Sequence, residues 1–184
     1  MTFRNTTVAW GSLSKALHWL IVLLIINQWV IVSRAHNLPN GLAKLEAMAW
    51  HKSFGITILA LAVIRLAWRW MNPTPELTNL TKAWERALAR LAHVLLYGFL
   101  FAIPITGWMM SSAKNFPVSW FKLIQLPDLV APSESLFHLM HEVHESLNFA
   151  LLVVAALHIA GALKHHFIDH NDVLKRMLPF SGAK

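Results

Sequence analysis

Residues His141–His166 read HEVHESLNFALLVVAALHIAGALKHH. From Leu147 to Leu163 the stretch is apolar, and with its flanks it approaches the roughly 20 residues that cross a bilayer. Yet His144 stands near one end, His158 well inside and His165 at the other end. An ionisable side chain inside a span is rare and marks function by default. His144 and His158 are fourteen residues apart, four helical turns less about 40°, so they share a face. A rise of 1.5 Å per residue separates them by about 21 Å along the axis, one in each leaflet.

Three further apolar runs, Leu17–Val32, Phe54–Trp70 and Leu91–Met110, make the chain a four-span protein. Composition agrees: 56% of the 184 residues are hydrophobic and 14% charged, against about 25% charged in soluble domains. Mean hydropathy is +0.48. Turn signals separate the runs at Asn37-Leu38-Pro39-Asn40-Gly41, at Asn72-Pro73-Thr74-Pro75 and between Pro117 and Pro132. The expected architecture is all-α: one integral-membrane four-helix bundle over 1–184, with spans near 12–33, 46–70, 86–111 and 140–166. The first run exits at Ser33-Arg34-Ala35-His36 without a small-residue cleavage site, so it is read as a retained span rather than a signal peptide.

Eleven of the 16 Lys and Arg residues lie on the side of the N-terminus, the second loop and the C-terminal tail, Lys184 included. The five on the other side are Arg34, Lys44, Lys52, Lys114 and Lys122. The positive-inside rule then places both termini in the cytoplasm. The net charge of +7 becomes a collar facing anionic lipid. It flanks spans and forms no separate basic face, which excludes nucleic acid as a partner. The absence of cysteine removes disulfides, iron–sulfur clusters, thiolate zinc sites and covalent c-type haem.

Matching depths pair the buried histidines. His51, near the outer start of the second span, can meet His144. His18, near the inner start of the first, can meet His158. Two neutral imidazoles facing each other across a gap in an apolar bundle suit the two axial positions of a haem iron. Zinc competes poorly, because it wants three or four ligands close together and no acid stands near them in the spans. Buried histidines satisfied only by carbonyls or by each other are the plain alternative, and each would need its own partner. Gly55 and Gly161, one turn after His51 and His158, are expected to let a flat group or a helix approach. Arg65 and Arg69 at the inner level and Lys52 at the outer are candidate propionate contacts. Lys52, Lys114 and Lys122 equally suit attraction of an anionic reactant. His36, His138, His141, His166 and His170 read as solvated, and the tryptophans near span ends (Trp10, Trp19, Trp50, Trp68, Trp70, Trp120) as interface anchors.

The segments ALHWLIVLLI, WHKSFGITILALAVIRLAWR, LAHVLLYGFLFAIPITGW and VHESLNFALLVVAALHIAGALKHHF resemble the bacterial cytochrome b561 family over nearly the whole chain. The resemblance implies a multi-pass inner-membrane protein with two haem b groups, His18/His158 on the inner and His51/His144 on the outer, exchanging electrons with ubiquinone. One branch is a superoxide oxidase, a superoxide:ubiquinone oxidoreductase. Another looks like a cytochrome partner of small periplasmic isoprenoid-binding proteins, and WHKSFG leans that way. A separate alternative is a haem-b membrane anchor or electron-carrier subunit that serves a periplasmic redox partner or a dehydrogenase. His93, His165 and Trp84 are candidates for a quinone site at the inner level. The loop Ser111–Glu134 is expected to select the outer reactant.

Overall fold

A computed structural model describes residues 2–75 and 82–179, so Lys184 of the cytoplasmic count lies outside the described residues. Four long helices carry the fold: α1 (Ser12–His36), α2 (Leu42–Trp70), α3 (Ala83–Ala113) and α4 (Glu134–Phe167). A two-stranded hairpin, β1 (Ser119–Trp120) and β2 (Ile124–Gln125), lies between α3 and α4, and a short α5 (Val173–Met177) follows. All four long helices are long and apolar enough to cross a membrane. The protein is an all-α membrane four-helix bundle, as the sequence predicts.

Each helix runs past its expected span, because hydrocarbon thickness limits only the apolar part. At 34 residues, α4 is about 51 Å long against a hydrocarbon core of about 30 Å. Local chemistry, not hydropathy, sets the ends. Ser133 caps α4, its Oγ accepting from Leu136 N at 3.3 Å, and Glu134 follows in the first turn, where the helix dipole favours an acid. At the start of α3, Glu85 Oε2 accepts from Lys82 N at 3.0 Å, the return half of a capping box. Asn37 Nδ2 donates to Ser33 O at the end of α1, and Asn72 Nδ2 to Trp68 O at the end of α2, each ahead of a proline that prevents continuation.

The outward residues are large and apolar. Leu23, Val63, Phe149 and Leu157 are all exposed, which in water would be costly but in lipid is neutral, since acyl chains are as apolar as leucine.

The chain divides into two compact units, and every long helix contributes a segment to each. The first comprises Met1–Leu20, Val63–Gly98 and Ala150–Lys184. Its N-terminal segment is knotted onto helix ends. Asn5 is buried, accepts from Gly11 N (2.9 Å) and from Ser14 Oγ (2.6 Å), and donates to Pro73 O (3.1 Å). Trp68 Nε1 donates to Ser14 Oγ, and Phe3 packs edge-on against Trp68. A Cβ on Gly11 would fall 2.6 Å from Arg4 C and 2.7 Å from its oxygen, so only glycine fits under the returning chain. Trp19 Nε1 donates to Met177 O and ties the tail to α1.

The second unit comprises Ile21–Ala62 and Phe99–Phe149. Its hairpin, which hydropathy alone leaves as loop, turns through Phe121 and Lys122, both at positive φ (49° and 60°). Such a primed turn matches strand twist but is costly for bulky residues. Compensation comes from α2: Ser53 Oγ accepts from Phe121 N and bonds Ser119 O, while the Phe121 ring packs on Trp50 and Phe54. Trp120 Nε1 donates to Thr57 Oγ1. Lys52 Nζ donates to Ser111 Oγ and Pro117 O, so the loop after α3 is fastened to α2 by polar contacts next to His51.

Candidate functional site

Helical spacing gathers the histidines into two sets, one in each unit. In the second unit the rings of His51 (α2) and His144 (α4) stand 6.4 Å apart between centroids, their planes at 82°. His51 Nδ1 is buried and has no hydrogen-bond partner; its backbone carbonyl accepts from Gln28 Nε2 at 2.9 Å. His144 Nδ1 lies 3.1 Å from Thr106 Oγ1 on α3. Gly107 faces the same ring: a Cβ there would meet His144 Cε1 at 3.0 Å.

Gly55 and Gly161 leave room beside their histidines: a Cβ on Gly55 would sit in ordinary contact with Gln28 Nε2 at 3.4 Å, and one on Gly161 would meet nothing within 4 Å. Gly107, from α3, is a further glycine against a histidine ring.

In the first unit, His158 (α4) is met by His93 (α3), with ring centroids 5.1 Å apart at 71°. His18 (α1) lies within electrostatic range of His158, His93 and Arg65. His93 thus stands beside His158 and in range of His18. Arg65 Nε donates to Tyr97 Oη at 3.2 Å and Nη1 to Ser14 O at 3.3 Å, while Arg69 lies 5.8 Å from the Tyr97 ring centroid. Both guanidiniums lie beside Tyr97 and in range of the histidines of this unit.

At the C-terminal end of α4, His165 Nδ1 donates to Asp169 Oδ2 at 2.7 Å. Lys164 Nζ bridges Asp169 Oδ2 (2.8 Å) and the buried Glu85 Oε1 (2.6 Å). Glu85, His165 and Asp169 offer ligand atoms within 4.8 Å of one another, but the Lys164 ammonium already serves as their cation. The hydrogen bond from Lys164, with that from His165, holds the Asp169 carboxyl below its ordinary value. Trp84, at the start of α3, is exposed. His138 and His141 are exposed beside Glu134 and Glu145, as expected of solvated histidines.

Sequence reasoning missed Thr106, Gly107, Tyr97 and the Glu85–Lys164–Asp169 network. Asp169 is the exception that was readable, four residues after His165 and so on the same side of a continuing turn.

Residues 9–180 match the family model described as prokaryotic cytochrome b561. The chain belongs to that family. Cytochrome b561 homolog 2 of Escherichia coli (strain K12) is 34% identical over 188 residues, covering 100% of this chain and 98% of the relative. Cytochrome b561 homolog 1 of the same organism is 28% identical, covering 89% and 93%. A protein of Yersinia pestis named probable superoxide oxidase CybB is 28% identical, covering 92% and 96%. As a member of the cytochrome b561 family, the chain is a haem b electron carrier of the bacterial inner membrane, crossing it several times.

Proposed function

We propose that the chain carries two haem b groups, one at each histidine set, and passes electrons from an outer-face reactant, superoxide, to ubiquinone at the inner face. The observation that carries this reading is the spacing of His51 and His144. Two metal–imidazole bonds of about 2 Å each, plus the two ring radii, span about 6 Å between centroids; the rings stand 6.4 Å apart. No hydrogen bond crosses that gap, and His51 Nδ1 is left without a partner. His18 and His158 are the corresponding inner ligands. His93 is too close to His158 for a metal to lie between their rings, so it lines the inner site rather than holding iron.

Haem bound at these positions supplies a reversible one-electron couple. The protein's own residues do the rest. His51 with His144, and His18 with His158, would hold the haems through neutral imidazoles, and a dry interior would limit reorganisation. Arg65 and Arg69 would neutralise propionates, whereas Lys52 is engaged by Ser111 Oγ and Pro117 O. Superoxide gives up one electron and leaves as dioxygen, so no proton is needed on the outer side. Ubiquinone takes two electrons and two protons. His165, His93 and Trp84 line its site, and the Asp169–His165 pair delivers protons there. The eleven-to-five distribution of Lys and Arg supports cytoplasmic termini, which makes this the cytoplasmic side.

A second reading has one specific support. The relative at 34% identity is named for its cytochrome alone, whereas the superoxide oxidase name appears at 28%. On that reading the same haems serve a separate periplasmic protein or a dehydrogenase.

The test is haem content and redox spectroscopy of the purified chain. Two haem b per chain, reduced by superoxide and reoxidised by ubiquinone, are expected; two haems inert to superoxide favour the carrier reading. His51→Ala and His144→Ala should each lose the same single haem. Retention of both haems in either variant sinks the ligand assignment.

A further inference from the structure

We infer that Thr106 and Gly107 of α3 are positioning residues for His144: the threonine fixes which ring nitrogen is free and how the ring is rotated, and the glycine makes room for it.

The hydrogen-bond geometry sets the tautomer. A hydroxyl has a single hydrogen to give. Thr106 Oγ1 lies 2.9 Å from Ala102 O and 2.9 Å from Ile103 O, and carbonyl oxygens can only accept. The Thr106 hydrogen is therefore committed to its own helix. Toward His144 Nδ1, 3.1 Å away, the hydroxyl can only offer a lone pair. Nδ1 must then carry the ring hydrogen, and Nε2 is left with the lone pair that binds metal.

Gly107 acts on the other coordinate. Its Cα lies against the ring, so that a methyl would meet Cε1 at 3.0 Å and Nδ1 at 3.4 Å. Either the ring or α3 would have to give by a few tenths of an ångström. The pair thus clamps rotation of the imidazole about its own bond, holding its plane near perpendicular to that of His51 at 82°. His51 has no such clamp, since its Nδ1 finds no partner. The α3 motif Ile105-Thr106-Gly107 belongs to one axial ligand only.

The inference rests on the haem-ligand reading of His144, and the test separates the two. Thr106→Val keeps the shape of the side chain and removes the hydroxyl; Thr106→Ser restores it. Haem stoichiometry, redox titration and ferric EPR are read on each purified protein. Thr106→Val should keep two haems per chain. The midpoint potential of the outer one should rise, because an imidazole that loses a hydrogen-bond acceptor donates less to ferric iron, while the other haem is unchanged. Near-perpendicular axial rings give a strongly anisotropic low-spin signal, and the outer haem's signal should move toward the rhombic type as the ring is freed. Thr106→Ser should return both readouts to those of the wild type. Gly107→Ala should shift the same signal alone or lower occupancy of that haem alone. Unchanged potential and EPR in Thr106→Val overturn the inference while His144→Ala still loses one haem. Equal shifts at both haems overturn it as well, because they mark a general loosening of the bundle. Retention of both haems in His144→Ala overturns the underlying reading instead.

Discussion

Replacing Asn5 by alanine should weaken the first unit more than its place outside the spans suggests. Asn5 is 6% exposed and uses its amide three times, accepting from Gly11 N and Ser14 Oγ and donating to Pro73 O. Each such bond contributes about 0.5–1.5 kcal/mol net. Truncation also leaves a buried N–H at Gly11 without its acceptor, which keeps the sum of the three off the lowest end of the range. The expected loss is about 2–4 kcal/mol. For a chain of this size, roughly 2–4 °C of melting temperature goes with each kcal/mol, so the melt should fall by roughly 4–16 °C. Loss of the Soret band on heating in detergent reads it out. Ser14→Ala removes the bond to Asn5 and the one from Trp68, so the double variant should lose clearly less than the two single variants combined. Melting of Asn5→Ala together with the wild type, or strict additivity with Ser14→Ala, would refute the knot as a cooperative unit.

Two further outcomes follow from the polar contacts. Ser53→Ala takes the acceptor from the part-buried Phe121 N, a loss of about 1 kcal/mol, and should release the hairpin from α2. Trypsin should then cut after Lys122 faster than in the wild type, and an unchanged rate would contradict the docking. Asp169, with its carboxyl held below the ordinary value of about 3.9, lends stability that is fully present above that pH and is lost as pH falls through the lower folded value. Melting temperature should therefore stay flat for this group from pH 8 to about 5 and drop in a limb below about 4, a limb that Asp169→Asn flattens.

The helices, their order and the depth pairing of His51 with His144 were legible because all three follow from one-dimensional spacing. Hydropathy counts residues along an axis, and helical periodicity assigns faces. What spacing cannot give is the neighbour from a third helix. Thr106 and Gly107 lie 38 and 37 residues before His144, and nothing in that interval, which includes a hairpin, fixes their register against α4. Gly55 and Gly161 were more visible because they share a helix with a histidine. His93 shows the same limit. Its depth was readable, but its contact with the His158 ring depends on the rotation of α3. The hairpin was hidden for another reason: two strands of two residues each carry no alternation, and the turn places a phenylalanine where glycine or asparagine is expected.

The two histidine sets differ in charge, and the difference bears on direction. Around the inner set, Arg65 acts on His18, His93 and His158, and Arg69 acts on His93. Arg65 is held there by Tyr97 Oη and by the Ser14 carbonyl, so its charge cannot relax outward. Around His51 and His144, Lys52 acts on His51 with its ammonium turned to Ser111 and Pro117, and His144 lies in range of both His141 and the opposite charge of Glu145. Fixed positive charge stabilises an added electron, and it does so more strongly where water is excluded. On the proposed haem assignment, an electron held at the His18 and His158 set would meet this fixed positive charge. The proposed direction, toward ubiquinone, would then draw its bias from Arg65, which Tyr97 Oη and the Ser14 carbonyl hold.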